Sequence, residues 1–100
     1  MFTVISYDVV RNRPRTKVHA LLLGYGTWVQ YSVFECDLHA RQLAQVQHEL
    51  CKLINPQTDS VRFYFLDPAA VQAIQILGIG RVSTLPLYTW IGRNPGAERG

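Results

Sequence analysis

The sequence predicts an α+β fold, a ferredoxin-like βαββαβ sandwich with a C-terminal strand extension, paired sheet to sheet as a homodimer. Three observations predict it. Runs of β-branched and aromatic residues alternate with two stretches of helical periodicity in the order strand, helix, strand, strand, helix, strand, which is the split βαβ arrangement. The strands carry apolar side chains on both faces, and two helices can cover only one of them. Charged residues make up 17% of the chain, below the ~25–35% typical of an open surface, so part of the surface is expected to meet a second copy.

Residues 2–10, FTVISYDVV, read as a central strand, apolar on both faces and ending near Asp8. Pro14 suits the first turn of a helix, and Val18, Leu21, Leu22 and Tyr25 recur at helical spacing. This predicts a helix over 14–24, with Gly24 and Gly26 supplying a left-handed stop. Residues 27–38 exceed the usual strand length of ~5–6, so they are divided near Gln30-Tyr31-Ser32 into two strands. In the second, Phe34, Cys36 and Leu38 face the core. A second helix spans 39–54, with Leu43, Val46, Leu50 and Leu53 as its buried stripe, Asp37 or His39 as its cap and Asn55-Pro56 as its stop. Residues 60–66 form the fourth strand. Beyond Asp67-Pro68 the pattern predicts a short helical turn over 69–75, a strand at Ile74–Leu77 and an edge strand over 85–91 marked by Pro86. The domain is taken as 1–92 and the tail as 93–100.

A length of 100 residues supports one domain. Net charge is +3, a modest total with an uneven distribution: Arg11, Arg13, Arg15 and Lys17 have no acid between Asp8 and Glu35. Such a local field favours phosphate. Cys36 and Cys51 lack metal-ligand spacing and are read as buried thiols of a reducing compartment. No apolar run reaches ~18 residues and the start lacks a basic leader. The expectation is a cytoplasmic protein with no membrane span.

No phosphate-loop or dinucleotide fingerprint is present. His19, His39 and His48 read as packing or surface residues. Asp8 stands out, because a carboxylate at the end of a central strand needs a partner, either a turn it caps or a cation. Mg²⁺ is commonly held by one or two carboxylates with waters and substrate phosphate, and a two-fold axis near the strand end would bring a second Asp8. The ion would polarise a phosphoryl oxygen and activate water. Arg15 and Lys17 would hold the backbone, Ser32 and Tyr31 would bond phosphate or a metal-bound water, and Tyr7 would shape the pocket floor.

Several segments together, in order, resemble a known family: Ile5-Ser6-Tyr7-Asp8, Gly24-Tyr25-Gly26, Val29 to Cys36, Asp59 to Tyr64, and Ile76-Leu77-Gly78. The chain resembles the small CRISPR-associated endonuclease of the adaptation module, the second Cas protein family, over residues 2–80. The resemblance implies a ferredoxin-like homodimer and a Mg²⁺-dependent (Mn²⁺ possible) phosphodiesterase on single-stranded RNA, double-stranded DNA or both. It also implies a structural role in which the dimer bridges the CRISPR integrase protein and supports spacer DNA. Asp8 matches the metal-binding aspartate, Ser32 and Phe34 match positions beside the site, and Arg11, Arg13, Arg15 and Lys17 match the positive turn and first helix. Thr27-Trp28 stands where many members carry more basic residues. Catalytic weight thus falls on Asp8, Tyr7, Ser32 and Phe34, and nucleic-acid binding on the four cations and Tyr31. The readings are a nuclease, a DNA-binding adaptor with little activity of its own, and a ligand-binding regulatory domain, which would leave both the cations and Asp8 unused.

Overall fold

The first strand, β1 (Phe2–Asp8), takes the interior place its apolar content predicts. The structure, a computed structural model, describes residues 1–82. The sheet runs β2 (Gly26–Gln30), β3 (Val33–Asp37), β1, β4 (Ser60–Leu66). Both pairings of β1 are antiparallel, with Ile5 opposite Phe34 on one side and Phe63 on the other. With helices α1 (Asn12–Leu23) and α2 (Ala40–Leu53) in the two crossovers, this is the ferredoxin-like fold.

Register decides which side chains share a face. Thr3, Ile5 and Tyr7 lie with Phe34, Cys36, Val61, Phe63 and Phe65. Phe2, Val4, Ser6 and Asp8 lie on the other face with Val33, Glu35, Ser60, Arg62, Tyr64 and Leu66. The helices cover the first face. Val18 and Leu22 of α1 and Val46 and Leu50 of α2 are buried there against Ile5, Tyr7, Val9, Phe34, Cys36 and Leu38. Full burial of each large aliphatic is worth about 1.5–3 kcal/mol.

Local chemistry sets the element ends. The first helix begins at Asn12, two residues ahead of the expected start, with Pro14 in its first turn and no side-chain cap from Arg11. His39 caps α2: its Nδ1 accepts from the Gln42 backbone N–H at 3.2 Å, and the Gln42 side chain accepts from the His39 N–H at 3.1 Å. That reciprocal pair is a capping box with histidine in place of serine or threonine. The β2–β3 hairpin turns at Tyr31–Ser32, where the long strand-like run was divided, and Tyr31 has φ 38°.

Four expectations are corrected. Gly24 ends α1 at φ −76°, so no left-handed residue is needed. Gly26 serves a close approach instead: a Cβ there would meet Cys36 Sγ and stand 2.5 Å from the Glu35 carbonyl oxygen. Cys51 is exposed, and only Cys36 is buried, because position 51 falls on the flank of the α2 stripe. Residues 74–77 form no strand. The chain leaves a short helix, α3 (Pro68–Gln72), capped by Asp67 accepting from the Ala70 N–H at 2.8 Å, and then places Val82 beside Val71 and Phe2. This packing covers the Phe2 end of the second sheet face, which the sequence reading leaves bare. The expected 85–91 strand, the 93–100 tail and the domain boundary at 92 lie outside the described residues.

Candidate nucleic-acid interface

Two depressions flank the first turns of α1, and a third surface carries Asp8. On the α2 side, Arg11, Arg13, Pro14, Lys17, Lys52 and Leu53 line a cleft of about 290 Å³. Four of these six residues are cations and none is an acid. Lys52 does meet Glu49 at 3.2 Å, an exposed pair of a kind that contributes little. Its position in the last turn of α2 suits that helix's dipole.

The loop feeding this cleft is held by Asp59. One carboxylate oxygen accepts from the Val10 backbone N–H at 3.0 Å and from Thr58 Oγ1 at 3.1 Å; the other accepts from the Asn55 N–H at 2.8 Å. The Val10 and Asn55 backbone bonds hold the Asp59 carboxyl below its ordinary range, and the Arg11 charge adds to the effect. The carboxylate therefore ties the β1–α1 loop to the α2–β4 loop. Arg15 braces the same loop from the other side. Its guanidinium donates to the Val9 carbonyl at 2.9 Å, to the Val10 carbonyl at 3.3 Å and to Asn12 Oδ1.

The second depression opens on the β2 side of α1. Tyr7, Arg15, Thr16, His19, Trp28, Tyr31 and Ser32 line about 410 Å³. Tyr7 OH and His19 Nδ1 share a hydrogen bond of 3.1 Å. Burial pushes the Tyr7 phenol above its usual value, while the Arg15 charge and a hydrogen bond with Ser32 pull it partly back. The His19 ring meets Phe34 edge-on at 5.1 Å and Trp28 at 5.2 Å. Trp28 Nε1 donates to the Tyr31 carbonyl at 2.6 Å. The wall is thus a connected set of rings and hydrogen bonds built on β1, α1 and the β2–β3 hairpin.

Asp8 stands apart from both depressions. It pairs with Ser60 at the end of β1 and lies on the sheet face away from the helices. Its side chain is exposed and has no hydrogen bond or ion pair among the described residues. Among those residues no group of three or more His, Cys, Asp or Glu could hold a metal ion. No helix among them is long and apolar enough to cross a membrane.

The structure thus sorts the sequence candidates into three groups. Arg11, Arg13 and Lys17 come together, joined by Lys52. Tyr7, Arg15, Tyr31 and Ser32 come together in the aromatic depression with Phe34 fully buried beneath. Asp8 joins neither. Sequence reasoning missed Lys52, Asp59, His19 and Trp28. A signal existed for Lys52, a last-turn cation one turn after the acidic Glu49, and for His19, which borders the apolar stripe of α1.

Residues 1–74 match the family described as CRISPR associated protein Cas2. The CRISPR-associated endoribonuclease Cas2 3 of Chloroflexus aurantiacus is 50% identical over 88 residues, 88% of this chain and 95% of that protein. The protein of the same description in Synechocystis is 43% identical over 75 residues, 75% of this chain and 82% of that one. Among solved structures, Streptococcus pyogenes Cas2 superposes with a TM-score of 0.70 at 32% identity, over 78% of this chain and 100% of that one. A family match that runs from β1 through α3, on the same fold, establishes that the chain belongs to the Cas2 family.

Proposed function

We propose that this protein is a nucleic-acid-binding adaptor of CRISPR spacer acquisition, a homodimer that holds duplex DNA beside an integrase partner. The observation that supports this most is the acid-free cleft of Arg11, Arg13, Lys17 and Lys52 at the start of α1. Such a cleft meets backbone phosphates irrespective of sequence. A dimer is supported by the sheet face away from the helices, where Val4 and Val33 are half-buried and Tyr64 is exposed. The test is duplex binding measured across salt concentrations. Each lost phosphate contact flattens the slope of log affinity against log salt by about 0.9. Replacing Arg11, Arg13 and Lys17 together by glutamine is expected to flatten it by about 2–3 and to weaken binding at every salt. An unchanged slope and affinity overturns the reading.

A second reading, Mg²⁺- or Mn²⁺-dependent phosphodiester hydrolysis, is favoured by the exposed, unengaged Asp8 carboxylate and by the endoribonuclease names of the relatives. One outward carboxylate per chain fits a hydrated Mg²⁺ that takes its remaining ligands from water, substrate phosphate and the Asp8 of a second chain. When bound, the ion would polarise a phosphoryl oxygen and lower the pKa of a water. Asp8 would supply charge and position for the ion. On this reading Asp8→Asn abolishes divalent-dependent cleavage of single-stranded RNA and double-stranded DNA while the dimer persists in sedimentation. Cleavage at an undiminished rate ends it. On the adaptor reading alone, the same variant captures spacer DNA as well as the native protein does.

A further inference from the structure

The depression on the β2 side of α1 is used by neither reading. Its 410 Å³ falls within the range of ~300–1,000 Å³ usual for sites that take a small organic group. What lines it is unusual for an ordinary surface. Trp28 is 53% and Tyr31 85% exposed, and the indole is held in place. The Trp28 indole is tied through Nε1 to the Tyr31 carbonyl and backed by the His19 ring. Behind His19 stands fully buried Phe34, and Tyr7 OH fixes the imidazole from the sheet side. The Trp28 face is thus open to solvent and held in place from behind, and the exposed Tyr31 lines the same depression. Arg15, Thr16 and Ser32 line the same depression with no carboxylate among the lining residues; the Arg15 guanidinium keeps its charge while donating to the Val9 and Val10 carbonyls and Asn12 Oδ1.

A flat π-face with a cation and hydroxyls at its edge has a matching ligand chemistry: a planar heteroaromatic base carrying a phosphate. A base stacks on an aromatic side chain whatever its identity, and the phosphate meets Arg15 and the rim hydroxyls. An apolar partner would leave the cation unused. The first turns of α1 separate this depression from the Arg11, Arg13, Lys17 and Lys52 cleft, so a strand crossing them keeps its backbone in positive field throughout. We infer that the Trp28–Tyr31 depression is a stacking site for an unpaired nucleotide, at the end of a duplex or within a single strand. This rests on the nucleic-acid-binding reading and adds to it a site for unpaired bases.

The test uses the intact protein carrying Trp90→Phe, so that Trp28 is the sole tryptophan. Its fluorescence is followed during titration with a short oligodeoxythymidine, with an abasic oligonucleotide of the same length, and with a blunt duplex. Stacking predicts quenching by the oligodeoxythymidine and none by the abasic strand. Tyr31→Asn, which suits the backbone at that position, is expected to weaken single-strand binding roughly five- to a hundredfold, and Tyr31→Phe to preserve it. Equal quenching by abasic and base-bearing strands overturns the inference, as does undiminished affinity in Tyr31→Asn. Duplex binding without Trp28 quenching by the single strand sinks this site and leaves the adaptor reading standing. Binding of neither nucleic acid sinks both.

Discussion

Asp59 shows how much one exposed carboxylate can organise. It accepts from backbone N–H groups of two loops that the chain separates by two helices and a hairpin. Its pKa is depressed below the ordinary carboxylate value by those bonds. A depressed acid stabilises the fold above its unfolded pKa, and that contribution is lost as pH falls through the folded value. Asp59→Ala is therefore expected to lower the melting temperature at pH 7. The difference from the native protein should shrink as the pH drops below about 4. Melting curves at pH 7 and pH 3 check this, and a gap as large at pH 3 as at pH 7 contradicts it. Cys36 behaves in the opposite way: burial, with the Glu35 charge beside it, pushes its thiol up to about 11. It therefore stays a neutral packing group at working pH.

At the level of elements, the hairpin β2–β3 depends on glycine for nearness. Gly26 lies opposite Cys36, with the Glu35 carbonyl at the position a Cβ would need. Gly26→Ala must push β2 outward against backbone, so a loss of about 1–3 kcal/mol is expected, read as a lower midpoint in urea. A variant as stable as the native chain would show that the strand yields freely. Much of this level was legible beforehand. The α2 stripe, the division at Gln30–Ser32 and β4 follow from periodicity and β-branched content, and these depend on neighbours in sequence. Gly24 suggests a left-handed stop for α1, whereas the helix closes through Gly24 N–H donating to the Leu21 carbonyl and Tyr25 N–H donating to the Leu22 carbonyl. Nor could the sequence tell that Gly26 works through strand contact rather than turn geometry. Strand parity is legible in the sequence. Tyr7 and Asp8 are adjacent on β1, so they point to opposite faces, and no single pocket can hold both side chains. The Lys52 and Asp59 roles arise where distant loops meet, which spacing alone does not encode.

For the molecule as a whole, the two sheet faces have different fates. One is filled by α1 and α2; the other is covered at its Phe2 end by α3 and Val82 and is open around Ser6, Arg62 and Tyr64. If a second copy packs there, an extra cation beside Arg62 would be buried against its own image, a costly arrangement. Tyr64→Arg is thus expected to sediment as a monomer while keeping its far-ultraviolet circular dichroism. A dimer of undiminished strength would place the contact elsewhere. This arrangement also puts the Asp8 ends of β1 at the open face while both α1 depressions stay outside it. Metal chemistry and strand binding would then occupy separate surfaces, one dependent on pairing and one complete within each chain.

The backbone at the hairpin tip has a consequence for engineering. A side chain at φ 38° carries a penalty of roughly 1–2 kcal/mol that asparagine or glycine would largely escape. For a domain of this size each kcal/mol recovered is worth roughly 4–8 °C of melting temperature. Selecting variants for heat tolerance alone would therefore tend to discard Tyr31 early, yielding sturdier molecules that have lost their aromatic contact for a stray base.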